Sequence, residues 1–179
     1  MDSKKVLLGG GLLLGAAAFA AYKCKRTIPH GVEAVTPFDI SKYMGNWYEI
    51  ARLDFMFEKH IDYATAEYSL NEDGSVKVVN RGYNYKKQHE QEVEGKAVFA
   101  GDEDVAMLKV AFWGPFYDGY NVIAIDNKYK YALVCGSSRR YLWLLSRDKN
   151  MPEDVINSYL EKAESLGFNT DKLVWTRYK

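Results

Sequence analysis

The sequence predicts an all-β fold: an eight-stranded antiparallel up-and-down barrel, one C-terminal α-helix packed outside it, and a short final strand. Three observations carry that prediction. Runs with a period of two recur through the middle of the chain, each parted from the next by a turn signal. A single stretch with helical period follows them. Trp47 and Arg147 stand about a hundred residues apart at the two ends of the strand pattern, where a guanidinium stacked on an indole would close one end of a barrel.

The first strand reads Gly45-Asn46-Trp47-Tyr48-Glu49-Ile50-Ala51-Arg52, and the eighth Tyr141-Leu142-Trp143-Leu144-Leu145-Ser146-Arg147. Between them Ala64, Ala66, Tyr68 and Leu70 alternate with Thr65, Glu67 and Ser69. Asn71-Glu72-Asp73-Gly74 is a tight-turn sequence, and 75–81 is the returning strand. Val93, Gly95, Ala97 and Phe99 alternate with Glu94 and Lys96, and Leu108, Val110 and Phe112 with Lys109, Ala111 and Trp113. Segments 119–126 and 131–136 complete the eight. Many short strands without intervening helices make a sandwich or a barrel.

Asn150-Met151-Pro152-Glu153 is a helix start, with proline in the first turn and an acid where the dipole favours it. Val155, Ile156, Tyr159, Leu160, Ala163 and Leu166 form one apolar stripe, and Gly167 ends it. Such a stripe needs an apolar surface, and the outer wall of the barrel supplies one. Residues 172–179 then return as the short final strand.

At 179 residues the chain has room for one domain. Its 24 basic and 24 acidic residues cancel, and no basic run marks a nucleic-acid partner. The boundaries read as 1–26 for a signal peptide or membrane anchor, 27–37 for a linker broken by Pro29, Gly31 and Pro37, and 38–179 for the barrel domain. In the first segment Lys4 and Lys5 precede an uncharged, mostly apolar run over 6–22, which Lys23, Lys25 and Arg26 follow. Seventeen residues is at the lower limit for a membrane span. Retention as an anchor and cleavage after Ala18-Phe19-Ala20 are both open. Cys24 and Cys135, one in the tail and one in a strand, do not make a disulfide framework.

Alternation assigns the barrel faces. Tyr68, Val78, Phe99, Leu108, Val110, Phe112, Tyr120, Val122, Ala124 and Val134 point inward, and Tyr141, Trp143 and Leu145 share the face of Arg147. Glu49, two residues past Trp47, is inward too, and a carboxylate there must be paired or neutral. Small inward residues (Ala64, Ala66, Gly95, Ala97, Ala124 and Ala132) leave space that a solid core would fill with branched aliphatics. With aromatics at 15% of the chain, the pattern describes an aromatic-walled apolar cavity suited to an acyl chain with a polar head. Cys135 falls on the outward face, as a small apolar residue under the helix.

The Gly-x-Trp opening, the Arg147 that ends the eighth strand, and the order of eight strands, helix and last strand resemble the lipocalin family. The likeness is to its bacterial outer-membrane lipoprotein type, related to apolipoprotein D, and runs from about Val35 to Lys179. It implies a structural closed-end pair of Trp47 and Arg147, and binding, storage or transport of a fatty acid or lysophospholipid in the bacterial cell envelope. Asp126 and Tyr129 resemble the family's second motif and are expected as turn-formers. The loop Leu53-Asp54-Phe55-Met56-Phe57-Glu58 would sit over the open mouth as a lid or as a membrane- or partner-facing patch. The resemblance also implies lipidation of Cys24 and a membrane-anchored barrel facing the periplasm or exterior, with a soluble secreted form as the alternative. Lys23 stands where a lipoprotein signal takes a small residue. Self-association into a homodimer is compatible with all of this.

No Ser–His–Asp arrangement, phosphate loop or metal-ligand spacing appears, and His30, His60 and His89 are scattered, so no enzyme, cofactor or metal is expected. Two competing readings stay in view. A lipocalin-type enzyme would use Cys135 as nucleophile, and would need that side chain inside the barrel. A non-binding envelope structural protein would have no cavity.

Overall fold

The computed structural model describes residues 26–53 and 60–178. Eight antiparallel strands close a barrel: β1 (Gly45–Leu53), β2 (Ile61–Leu70), β3 (Val76–Asn84), β4 (His89–Phe99), β5 (Met107–Ala111), β6 (Asp118–Ile125), β7 (Tyr131–Cys135) and β8 (Leu142–Ser146). Each pairs with its neighbour in sequence, and β1 closes the ring by pairing with both β2 and β8. Helix α1 (Ile40–Tyr43) precedes the barrel; helix α2 (Glu153–Ser165) and strand β9 (Leu173–Trp175) follow it. The eight strands, outer helix and short final strand are those expected from the sequence. The short α1, capped by the Asp39 carboxylate accepting from Ser41 N at 3.0 Å, is an element the sequence reading missed.

The alternating strands divide the core in two. Inside the barrel lie Trp47, Tyr68, Val76, Val78, Ala97, Leu108, Val122, Val134 and Leu145. Outside lie Ile50, Ile123, Leu133, Cys135, Leu142 and Leu144, covered by Val155, Ile156, Tyr159, Leu160 and Ala163 of α2. The Tyr159 hydroxyl donates to the Tyr131 carbonyl at 2.9 Å and ties the helix to the wall. Two bulges reverse the phase of alternation. In β1 the register slips between Glu49 and Ala51, so Trp47, Glu49 and Arg52 all face in while Ile50 and Ala51 face out. In β6 it slips between Val122 and Ala124, which moves Ala124 to the outer cluster, against the expectation of an inward side chain.

Segment 27–37 is not loose. Val32 is buried, and Val35 bridges β6 and the residue before β5, its N–H donating to Val122 O at 2.9 Å and its carbonyl accepting from Ala106 N at 2.9 Å. Phe38, Ile40, Tyr43 and Met44 then pack into the same end of the barrel. That end is the closed one, and Arg147 fastens it. Its guanidinium carbon lies 3.9 Å from the centroid of the fully buried Trp47 ring. Its nitrogens donate to the carbonyls of Asn46 (2.8 Å), Lys42 (2.9 Å), Tyr43 (3.1 Å) and Tyr129 (3.2 Å). Trp47 Nε1 donates to Tyr43 O at 2.9 Å. Gly45 holds a φ of +93°, and a Cβ there would sit 3.4 Å from Arg147 Nη1.

Asp126 shapes the neighbouring turn. Its carboxylate accepts from the backbone N–H groups of Lys128, Lys130 and Tyr131 at 2.9, 2.6 and 2.7 Å, and the Tyr129 hydroxyl accepts from Asp39 N at 2.9 Å. Deleting the Trp47 ring should cost about 3–5 kcal/mol in Trp47→Ala. Stranding the Arg147 acceptors should cost about 1.5–3 kcal/mol in Arg147→Leu. In a urea-unfolding double-mutant cycle the two costs are expected to fall short of additivity, because each removes the same stack.

Candidate functional site

Strand polarity sets the two ends. With Trp47 at the closed end, the end of β1, the start of β2 and the connections at 85–88, 112–117 and 136–141 all lie at the opposite rim. An apolar cavity of about 400 Å³ runs from Tyr43 and Tyr68 on its floor to Trp113, Phe116 and Tyr141 at that rim. The volume lies within the roughly 300–1,000 Å³ usual for small-molecule sites. Of the residues expected on its wall, Tyr68, Val78, Leu108, Val110, Phe112, Tyr120, Tyr141 and Trp143 are there. Phe99, Val122 and Val134 are not: they pack in the inner core, where the inserted 34–44 segment takes up the lower barrel. Ala64, Ala66 and Ala97 open onto the cavity. Gly95 makes room for a ring instead, since a Cβ there would lie 2.7 Å from Phe112 Cδ1. Ile40, Tyr43 and Met44 were missed, because an aperiodic segment gives no signal of which side chains enter a barrel. Val76 and Asn80 were legible, being in phase with Val78.

Two hydrogen-bonded polar clusters stand in the apolar wall, beside Thr65, Asn80 and Asp118, which also line it. On the floor the Tyr120 hydroxyl lies 2.7 Å from that of Tyr43 and 2.8 Å from that of Tyr68. Three hydroxyls joined by two hydrogen bonds hold three protons, so one proton is left over from the bonds within the triad. Burial pushes the Tyr43 and Tyr120 phenols well above their ordinary range, so both stay neutral. Higher up, Glu49 Oε1 pairs with Arg52 Nη1 at 2.6 Å, both side chains being almost fully buried, and Thr176 Oγ1 donates to the same oxygen at 3.3 Å. Arg52 Nη2 donates to Ile61 O at 3.0 Å. Of the two states open to an inward carboxylate at Glu49, paired or neutral, the structure has the pair. The bulge that turns Arg52 inward hid which residue the partner was.

The pair stands where the barrel wall divides. β1 and β2 part after Tyr48 and Thr65, and β9 takes over the vacated edge of β1 from Ala51. The Tyr178 hydroxyl fits the gap, 2.9 Å from Glu49 O and 2.6 Å from Ala64 O. Cys135 lies on the other side of the wall. It is fully buried in the outer cluster beneath α2, and burial pushes its thiol up to about 12. A nucleophile for the cavity needs both access and a thiolate, and Cys135 has neither. Cys24 and the residues Phe55, Met56 and Phe57 lie outside the described residues.

A closed antiparallel barrel with an outer helix and an apolar chamber defines a protein built to enclose something small. The lipocalin-like domain family matches residues 38–178, and the chain belongs to the lipocalin family. The outer membrane lipoprotein Blc of Citrobacter freundii is 49% identical over 162 residues, covering 90% of this chain and 92% of that one. Temperature-induced lipocalin-1 of Arabidopsis thaliana is 36% identical, covering 79% and 80%. Apolipoprotein D of Cavia porcellus is 31% identical, covering 78% and 76%. Among solved structures, insecticyanin from the tobacco hornworm Manduca sexta superposes with a TM-score of 0.70 at 21% identity, covering 86% of this chain and 88% of that one.

Two measurements check the polar groups. Arg52→Met removes the cation that faces the buried Glu49 carboxylate and should cost about 3–5 kcal/mol in chemical unfolding, whereas Glu49→Leu combined with Arg52→Met should recover most of that loss. For the phenols, the folded values lie above the unfolded value of about 10, so above that pH the unfolded chain binds fewer protons and stability falls as pH rises. Below pH 10 their contribution is complete. Absorbance at 295 nm should show the buried tyrosines ionising only together with the loss of near-ultraviolet circular dichroism.

Proposed function

We propose that the protein binds one elongated apolar ligand with a polar end, a fatty acid or lysophospholipid, and stores or carries it in the bacterial envelope. The observation that carries this reading is the apolar chamber inside a closed barrel, bounded by alanines and aromatic rings and relieved by a few hydroxyls on its floor. Apolar walls remove an acyl chain from water, and a small number of placed polar groups fix its register. The relatives named outer membrane lipoproteins support the envelope setting. Residues 1–26 tether the domain there, with the barrel outside the cytoplasm, either through the apolar run at 6–22 or through a lipid on Cys24. Residues 38–179 form the binding domain.

Filling the chamber tests the internal site. Ala66→Phe or Ala97→Leu should weaken binding of a fluorescent fatty acid about tenfold or more, with far-ultraviolet circular dichroism unchanged. Equal affinity in a folded variant would move the ligand out of the barrel.

A further inference from the structure

We propose that the open rim of the barrel docks on an anionic lipid bilayer, so that the cavity opens directly onto the membrane that holds the chain. This rests on the tether proposed above.

The first support is where the described chain begins. The Thr27 carbonyl accepts from Asn121 Nδ2 at 2.7 Å, and a Cβ at Gly119 would overlap that carbonyl. Arg139, in the rim turn 136–141, donates to the His30 carbonyl at 2.7 Å and to Leu166 O at 2.6 Å. Residues 27–30 are thus pinned to the outside of the barrel at its open end. Three residues separate Tyr22, the end of the apolar run, from Arg26, and the four chain steps between them span at most about 14 Å when fully extended. Anchoring through Cys24 would shorten that further. The tether therefore brings the rim, and not the closed end, to the membrane surface.

Charge gives the second support. The rim turns 85–88, 112–117 and 136–141 carry Lys86, Lys87, Arg139 and Arg140 and no acid. Asp118, which follows the second of these turns and lines the cavity, leaves the rim net basic among the described residues. At the closed end the turns 71–75 and 100–106 carry Glu72, Asp73, Asp102, Glu103 and Asp104 and no base. The other two closed-end connections hold Asp126, Lys128 and Lys130, and Arg147, Asp148 and Lys149, so that end is net acidic. A barrel polarised in this way presents its basic end to anionic head groups and turns its acidic end away.

The rings supply the third support. Trp113 and Phe116 are 62% and 69% exposed, and Tyr85 is 52% exposed, all three in rim turns. Trp and Tyr favour the boundary between head groups and acyl chains. Trp113 and Phe116 also line the cavity, so the surface that meets the bilayer is continuous with the chamber, and a lipid passing between them need not cross water.

The test reads orientation and needs no bound ligand. The full chain is reconstituted into vesicles of phosphatidylethanolamine and phosphatidylglycerol whose acyl chains carry bromine, and tryptophan quenching is measured on the co-floating fraction. Trp113→Phe should remove most of the quenchable emission. Combined Lys86→Glu, Lys87→Glu and Arg140→Glu should reduce Trp113 quenching severalfold, while Glu72→Lys with Glu103→Lys leaves it unchanged. Circular dichroism confirms that each variant is folded. A chain that co-floats with Trp113 unquenched, or with quenching indifferent to rim charge, overturns the docking while leaving the tether intact. Burial of Trp113 that persists without lipid and scales with protein concentration overturns it in favour of a second copy at the rim. Failure of the chain to co-float overturns the tether and the docking together.

Discussion

Closure of one end by Arg147 is the constraint on which the rest of the structure depends. A single guanidinium lies on the Trp47 ring and bonds the carbonyls of three successive turns and termini: the end of α1, the start of β1, and the turn between β6 and β7. Each of those carbonyls sits where regular pairing stops and would otherwise want a donor. The segment that caps the barrel is thereby locked to the first and last strands of the ring. With the floor fixed, Tyr43 can stand against Tyr120 and Tyr68, and the volume above them becomes a chamber with a defined bottom.

The wall above that floor owes its character to two slips of register. Without the bulge in β1, Arg52 would point to the outer layer and the buried Glu49 would lose its cation, a costly arrangement. Ordinary alternation puts Val122 in the barrel and Ile123 under the helix, and the bulge in β6 keeps Ala124 on the outer side as well. Carbonyls exposed where β1 leaves β2 are met by the Tyr178 hydroxyl. Among the described residues, the hydrogen-bonded polar clusters of this barrel are the floor triad and the pair beside the divided wall.

The layout of eight strands, helix and last strand was legible because each strand keeps its period and each turn carries its own residues, as in Asn71-Glu72-Asp73-Gly74. Eight of the eleven side chains expected on the cavity wall are on it, since alternation transmits faithfully along an unbroken strand. What failed to be legible lies where the period breaks. Ala124 and Arg52 changed sides at bulges, which leave no mark in composition. Phe99, Val122 and Val134 face inward but meet the inserted N-terminal segment, and no periodicity announces an insertion that comes from outside the sheet. Tyr43 entered the site for the same reason, from a short helix of one turn.

The pairing of β1 with β8 has a consequence for how the chain reaches this state. The contacts that seal the ring join residues about a hundred positions apart, Tyr48 with Ser146 and Trp47 with Arg147. Loop closure over that span is entropically slow, and a ring of antiparallel strands gains its full reward only when the last member arrives. A chain emerging amino-terminus first would hold β1, with Trp47 and its apolar neighbours, unpaired on one side until β8 has followed it out. During that interval both the first and the newest strand present open edges, the geometry that recruits other chains. The interior that shelters an apolar guest is thus the last compartment to form, and until it forms the same surfaces are a liability in crowded surroundings.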